Sequence, residues 1–150
     1  MKTNLSWKSK MQFISTTRGH ENILDANLES GGLNSGANPK EYLLQGIAGC
    51  SGMDAIFYLN KHKQVPLRFD IEVEADLTEK TLPIYFKEIR LKYKFLGDQL
   101  DNEKVISSVE KSMTKYCGVS FMVYKTSPIH YTIELNGETI FEGKAKFADG

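Results

Sequence analysis

The segment from Asn38 to about Lys63 constrains this fold most: it is patterned as one long helix with apolar residues on nearly every side. Asn38-Pro39-Lys40-Glu41 reads as its start, with Asn as N-cap, Pro at the first helical position and Glu placed to reach back to the cap's N–H. Leu43, Leu44, Ile47, Ala48, Ala55, Ile56, Phe57 and Leu59 cover too much of the circumference for a surface helix, so its middle is expected to be enclosed. A monomer has trouble hiding such a helix. A homodimer that packs it near its partner's counterpart relieves the problem, and small residues at Gly46, Ala48, Gly49, Ser51 and Gly52 would permit the approach. Each helical glycine costs about 1 kcal/mol relative to alanine, which suggests a steric demand around Cys50.

The remaining elements set the fold class. Trp7, Met11 and Phe13, then Ile23 to Leu28, read as strand material, followed by loop composition over Glu29–Asn38. Phe69 to Leu77 alternates strictly between apolar and polar residues, and Ile84 to Phe95 repeats the pattern, so the two are expected to pair as a hairpin. A second helix opens at Asp101-Asn102-Glu103 and carries Val105, Ile106, Val109 and Met113 as an apolar stripe toward Cys117. Ile129–Leu135, Asn136-Gly137 and Glu138–Phe141 read as a hairpin around a type I′ turn. The order is that of an α+β protein, with helices grouped against antiparallel sheet.

At 150 residues, one domain spanning 1–150 is expected. Nineteen basic and nineteen acidic residues cancel, leaving no field to attract nucleic acid or an anionic membrane surface. The first ten residues lack the apolar stretch of a secretory signal, and no run is long enough to span a bilayer, so a cytoplasmic protein is expected. In that compartment disulfides are usually transient and catalytic, and the two cysteines, Cys50 and Cys117, therefore invite a redox reading. Each sits in a segment patterned as buried helix. The alternative for each is a small buried apolar residue.

Pro39-x-Glu41-x-Leu43-Leu44-x5-Cys50, then a β-hairpin, then a helix carrying Tyr116-Cys117-x-Val119, resembles the OsmC/Ohr family of thiol-dependent hydroperoxide reductases over nearly the whole chain. The resemblance implies an OsmC-like fold, antiparallel sheets packed around two central helices in an intertwined homodimer, with both cysteines at the subunit interface. It implies Cys50 as the peroxidatic thiol and Cys117 as the resolving one. Catalytic members also place an arginine in the amino-terminal strands and a glutamate ten residues before the first cysteine. Here that position is Lys40, and Glu41 lies nine before, near the opposite face of a straight helix from Cys50. Arg18 is the arginine candidate, shifted by one residue, which in a strand means the other face. The pattern is closer to the uncharacterised OsmC-like branch than to the proven peroxidases.

The candidate catalytic set is therefore Cys50, Cys117, Arg18 and Glu41, with capping as the alternative role of Glu41 and a solvated strand charge as that of Arg18. Asp54, one turn beyond Cys50, would oppose thiolate formation if it faces the same way. Met53 and Phe57 are most simply core residues, or else line an apolar pocket for an alkyl chain. His20, His62 and His130 show no ligand spacing with either cysteine; a two-cysteine, one-histidine zinc site is geometrically open but not favoured. The function expected is reduction of organic hydroperoxides in oxidative or osmotic stress defence, without metal, flavin or nucleotide cofactor, the disulfide being reduced by an external dithiol. The alternative is a non-catalytic protein that binds a small hydrophobic ligand at the dimer-interface pocket.

Overall fold

The computed structural model describes residues 1–148. The chain divides into two compact units, Met1–Leu43 and Leu44–Gly150.

The first unit holds an antiparallel three-stranded sheet of β1 (Asn4–Ser9), β2 (Gln12–Thr17) and β3 (His20–Leu24) in sequence order. The strand expected over Ile23–Leu28 ends at Leu24, because Asp25 turns the chain. Its carboxylate accepts backbone N–H groups from Ala26, Leu33 and Ser35 at 2.8, 3.0 and 3.1 Å, and the Ser35 hydroxyl at 2.7 Å. A loop so tied cannot continue a ladder. Tyr42 adds a bond from its hydroxyl to the Ile23 carbonyl at 2.8 Å.

Helix α1 (Pro39–Lys61) starts as its residues dictate. Asn38 Oδ1 accepts the Lys40 and Glu41 N–H groups at 2.9 and 3.1 Å, while Glu41 Oε2 accepts the Asn38 N–H at 2.7 Å. This reciprocal pair satisfies donors that the first helical turn leaves open.

The second unit is a four-stranded sheet, β4 (Arg68–Leu77), β5 (Phe86–Leu96), β6 (Ile129–Leu135) and β7 (Glu138–Lys144), in that spatial order. The β4–β5 and β6–β7 pairs are antiparallel hairpins, but β5 and β6 run parallel, so the sheet is mixed where an antiparallel one was expected. Parallel neighbours need a crossover, and α2 (Asn102–Lys111), a π-helical turn (Ser112–Tyr116) and α3 (Gly118–Val123) supply it. Asn136 and Gly137, at φ 52° and 85°, close the last hairpin in the left-handed conformation that Asn-Gly tolerates.

Period-two burial puts Ile89, Leu91, Tyr93 and Phe95 of β5 and Ile129, Tyr131, Ile133 and Leu135 of β6 on one inner face. Ile47, Ala55 and Leu59 of α1 and Val105 and Val109 of α2 complete that core. The buried α1 positions Ile47, Ser51, Gly52, Ala55 and Leu59 make a single face, so one chain encloses the helix on one side only. Met53 and Phe57, read as core or pocket, are 77% and 53% exposed, because they stand on the side of α1 turned away from that face.

Candidate active site

Cys50 is half-buried on α1, and Cys117 is fully buried at the end of the π-helical turn. Their sulfurs and a carboxylate oxygen of Asp54 all lie within 4.8 Å of one another.

Three local features bring these groups together. Ser51, beside Cys50, is fully buried; its hydroxyl donates to the Ile47 carbonyl at 2.8 Å and accepts from Tyr93 at 2.7 Å, fixing the rotation of α1 over β5. Asp54, one turn on, presents Oδ2 to the Ser112 hydroxyl at 2.8 Å, which ties α1 to the start of the π-helical turn. That wide turn then ends the helix: Cys117 is extended at φ −68°, ψ 97°, and its N–H reaches back to the Ser112 carbonyl at 3.0 Å. Cys117 therefore sits between helices, not inside one as its apolar flanks suggested. Its sulfur caps α3 by accepting the Ser120 N–H at 3.3 Å.

The environment favours a neutral Cys117. Burial pushes this thiol up to about 11; hydrogen bonding from Ser120 opposes that, and the adjacent Cys50 thiol adds to it. The buried Ser120 hydroxyl has no formed hydrogen bond among the described residues, although it stands near enough to the Cys117 sulfur to favour the thiolate. Tyr93 is pushed well above the ordinary phenol range by burial, with the Ser51 bond pulling the other way.

Beyond Asp54, Tyr58 and Tyr116 form a ring pair with centroids 5.2 Å apart. Lys111 stands 5.0 Å from the Tyr58 ring and Lys115 5.3 Å from the Tyr116 ring. The neighbouring Tyr116 hydroxyl, with burial and the Asp54 charge behind it, raises Tyr58 to about 12, and the Tyr58 hydroxyl with nearby Lys115 lowers Tyr116.

The predicted residues divide accordingly. Cys50 and Cys117 meet, and Asp54 faces them. Glu41 is engaged in the cap of α1. Lys40 is exposed beside it. Arg18 is not in a strand: it is exposed, at φ 52°, in the turn that joins β2 to β3, with Gly19 at 82°. The face argument made for it does not apply, since turn residues leave the pleat. Ser112, Ser120 and Tyr116 were missed as neighbours. No pattern in the residues around Cys117 signalled that its helix would break there.

Comparison with known proteins agrees with this fold. The family model for OsmC-like proteins matches residues 32–134. Protein YhfA of Escherichia coli K12 is 27% identical over 136 residues, covering 90% of this chain and 98% of the relative. A hypothetical protein from Aquifex aeolicus VF5 superposes with a TM-score of 0.79 at 28% identity, over 91% of this chain and 96% of that one. An organic hydroperoxide resistance protein OsmC from Legionella pneumophila, described as a predicted redox protein and regulator of sulfide bond formation, superposes with a TM-score of 0.68 at 15% identity, over 89% and 95% of the two chains.

Proposed function

We propose that this chain, which belongs to the OsmC-like protein family, reduces organic hydroperoxides through Cys50 and Cys117. The observation that carries the reading is the approach of the two sulfurs, distant in sequence, to within 4.8 Å. The hydroperoxide resistance named for the Legionella pneumophila protein lies in the same direction.

The burial difference supports an order of roles. Cys50, partly open, attacks the outer peroxide oxygen as its thiolate; the O–O bond breaks, Cys50 becomes a sulfenic acid, and the alkoxide leaves as the alcohol once protonated. Cys117, buried and held as a thiol, then displaces the sulfenic hydroxyl, which departs as water when the disulfide forms. An external dithiol restores both thiols. With both sulfurs this close, closing a 2.05 Å bond calls for side-chain rotation more than backbone movement. Arg18 and Glu41 stay in this proposal as the charged groups that polarise thiolate and peroxide, with the cap of α1 as the other role of Glu41.

Homodimer formation belongs to the same reading. Met53 and Phe57 of α1, at 77% and 53% exposure, and Met122 of α3, at 74%, are large apolar side chains that a partner would cover. Between two such faces an alkyl hydroperoxide finds an apolar wall. Residues 1–150 act in it as one domain. A cytoplasmic site fits the need for a dithiol reductant. No helix among the described residues is long and apolar enough to cross a membrane.

A second reading, non-catalytic binding of a small hydrophobic ligand at that interface, is favoured by one observation: a carboxylate oxygen of Asp54 stands within 4.8 Å of both sulfurs, where a reactive cysteine ordinarily has a cation. Steady-state consumption of cumene hydroperoxide with a dithiol reductant separates the two. Turnover that disappears in Cys50→Ser, and persists at a reduced rate in Cys117→Ser through direct reduction of the sulfenic acid, supports the enzyme. Turnover no faster than that of a free thiol in the wild type rejects it.

A further inference from the structure

We propose that the reduced chain binds a thiophilic divalent cation of the zinc type between Cys50 Sγ, Cys117 Sγ and the Asp54 carboxylate. The inference deepens the hydroperoxide reading, because the metal would occupy the very sulfurs that reading oxidises.

Geometry comes first. Zinc bonds thiolate sulfur at about 2.3 Å and carboxylate oxygen at about 2.0–2.2 Å, so two ligand atoms on one tetrahedral centre stand about 3.6–3.8 Å apart. The three atoms here lie within 4.8 Å of one another, and ordinary side-chain rotation closes the difference. They come from two elements already locked together, α1 and the end of the π-helical turn, so the triad is assembled by the fold.

The surroundings are those a metal ligand set needs. Ser112 donates to Asp54 Oδ2 at 2.8 Å, leaving the other carboxylate oxygen open to a cation. Ser120 N–H donates to Cys117 Sγ at 3.3 Å, a bond that strengthens when the sulfur is a metal thiolate, and the buried, unpartnered Ser120 hydroxyl stands beside the same atom. Among the described residues Asp54 forms no ion pair. Binding displaces the two thiol protons, and no ion-paired cation among the described residues competes with the divalent ion for the Asp54 carboxylate. Two sulfurs select zinc over magnesium or calcium, which prefer all-oxygen sites. Three protein ligands leave a fourth position for water.

Metal binding and peroxide reduction then exclude one another. When an organic hydroperoxide oxidises the pair, the two thiolates lose two electrons and form the S–S bond; the O–O bond accepts them and, with two protons, yields alcohol and water. Both sulfur ligands are consumed, and the divalent cation leaves unchanged in charge.

The test is titration of reduced, metal-free protein with Zn2+ against a chromophoric chelator, with Co2+ as spectroscopic probe. The expected result is one ion per chain, tetrahedral cobalt absorption with charge transfer from two thiolates, and an affinity about 100-fold lower in Asp54→Asn and about 10-fold lower in Ser112→Ala. Equal affinity in wild type and Asp54→Asn would reduce the site to a bare dithiol and overturn the proposal, as would no binding at all. Should Asp54→Asn not fold, the wild-type cobalt spectrum and Ser112→Ala decide: octahedral absorption or an unchanged Ser112→Ala affinity rejects the site. Peroxide consumption by metal-free protein is measured separately. Zinc binding without turnover leaves the site standing and removes the enzyme, whereas turnover without zinc binding does the reverse.

Discussion

Gly52→Ala is the substitution that most sharply tests how α1 is seated and, through it, how Cys50 is held. A Cβ at position 52 would stand 2.6 Å from Ile71 Cδ1 and 3.7 Å from Phe69 Cε1. Ordinary contact begins near 3.4 Å, so the Ile71 methyl must yield by about 0.8 Å; as the far end of a flexible, half-buried side chain it does so at the low end of the about 1–3 kcal/mol that overpacking costs. Alanine regains about 1 kcal/mol of helix propensity, so the two effects nearly cancel. For a chain of this size the single change then shifts Tm by less than about 2 °C. Ile71→Val removes the crowding methyl, so Gly52→Ala combined with Ile71→Val should be more stable than the sum of the two single changes allows, with a coupling of about 1 kcal/mol. Urea denaturation of the four proteins at one fixed concentration measures the cycle. A coupling of zero, or a Gly52→Ala that gains the full helix propensity of about 1 kcal/mol, would refute the seating of α1 on β4.

Gly49→Ala reads the other side of the same helix. Nothing lies within 4 Å of a Cβ built there, so a lone chain gains up to about 1 kcal/mol; a loss of dimer in sedimentation would show a partner against this position, and a stabilised, unchanged oligomer would place the interface elsewhere. Cys117, whose thiol burial raises to about 11 from 9.0, keeps its proton in the fold after the unfolded chain has lost it. Stability therefore declines as pH rises from about 9 toward 11. In Cys50→Ser, alkylation of Cys117 by iodoacetamide should stay slow at pH 8 and accelerate toward pH 11; a rate already saturated at pH 8 contradicts that environment. Asp25 works in the opposite direction: burial opposes its charge, but hydrogen bonds from Ser35, Ala26 and Leu33 prevail and hold its carboxyl below 3.8. Its stabilisation is present above pH 4 and lost on acidification, so Asp25→Asn should be less stable than wild type at neutral pH and nearer to it at pH 2, measured by thermal denaturation.

Much of the fold was legible because it is written in local chemistry. The capping box at Asn38 and Glu41, the alternation over Phe69–Leu77 and the Asn136-Gly137 turn are each decided by residues within a few positions. The parallel β5–β6 pair was not legible, because alternation marks an inner face and says nothing of strand direction. The choice between core and pocket for Met53 and Phe57 stayed open for a related reason: an apolar residue on a helix apolar all round carries no sign of which side its own chain will cover. At the site, Cys50 and Asp54 share a helix face by spacing, but their meeting with Cys117 depends on where a helix ends. The Ser112–Tyr116 widening and the extended Cys117 arise from packing against α1, which no local motif announces. Arg18 was misplaced because Arg-Gly reads equally as strand end and as the centre of a two-residue turn.

The central claim is that Cys50 and Cys117 form one redox unit in which Cys50 reacts first. Intact-mass spectrometry with free-thiol counting, after a stoichiometric pulse of organic hydroperoxide on reduced protein, tests it in a single turnover. The account predicts rapid loss of both thiols with a mass decrease of about 2 Da in wild type, a trapped sulfenic acid at Cys50 in Cys117→Ser, and no reaction in Cys50→Ser. Thiols that survive the pulse at the rate of free cysteine, or a sulfenic acid found at Cys117 in Cys50→Ser, would contradict it.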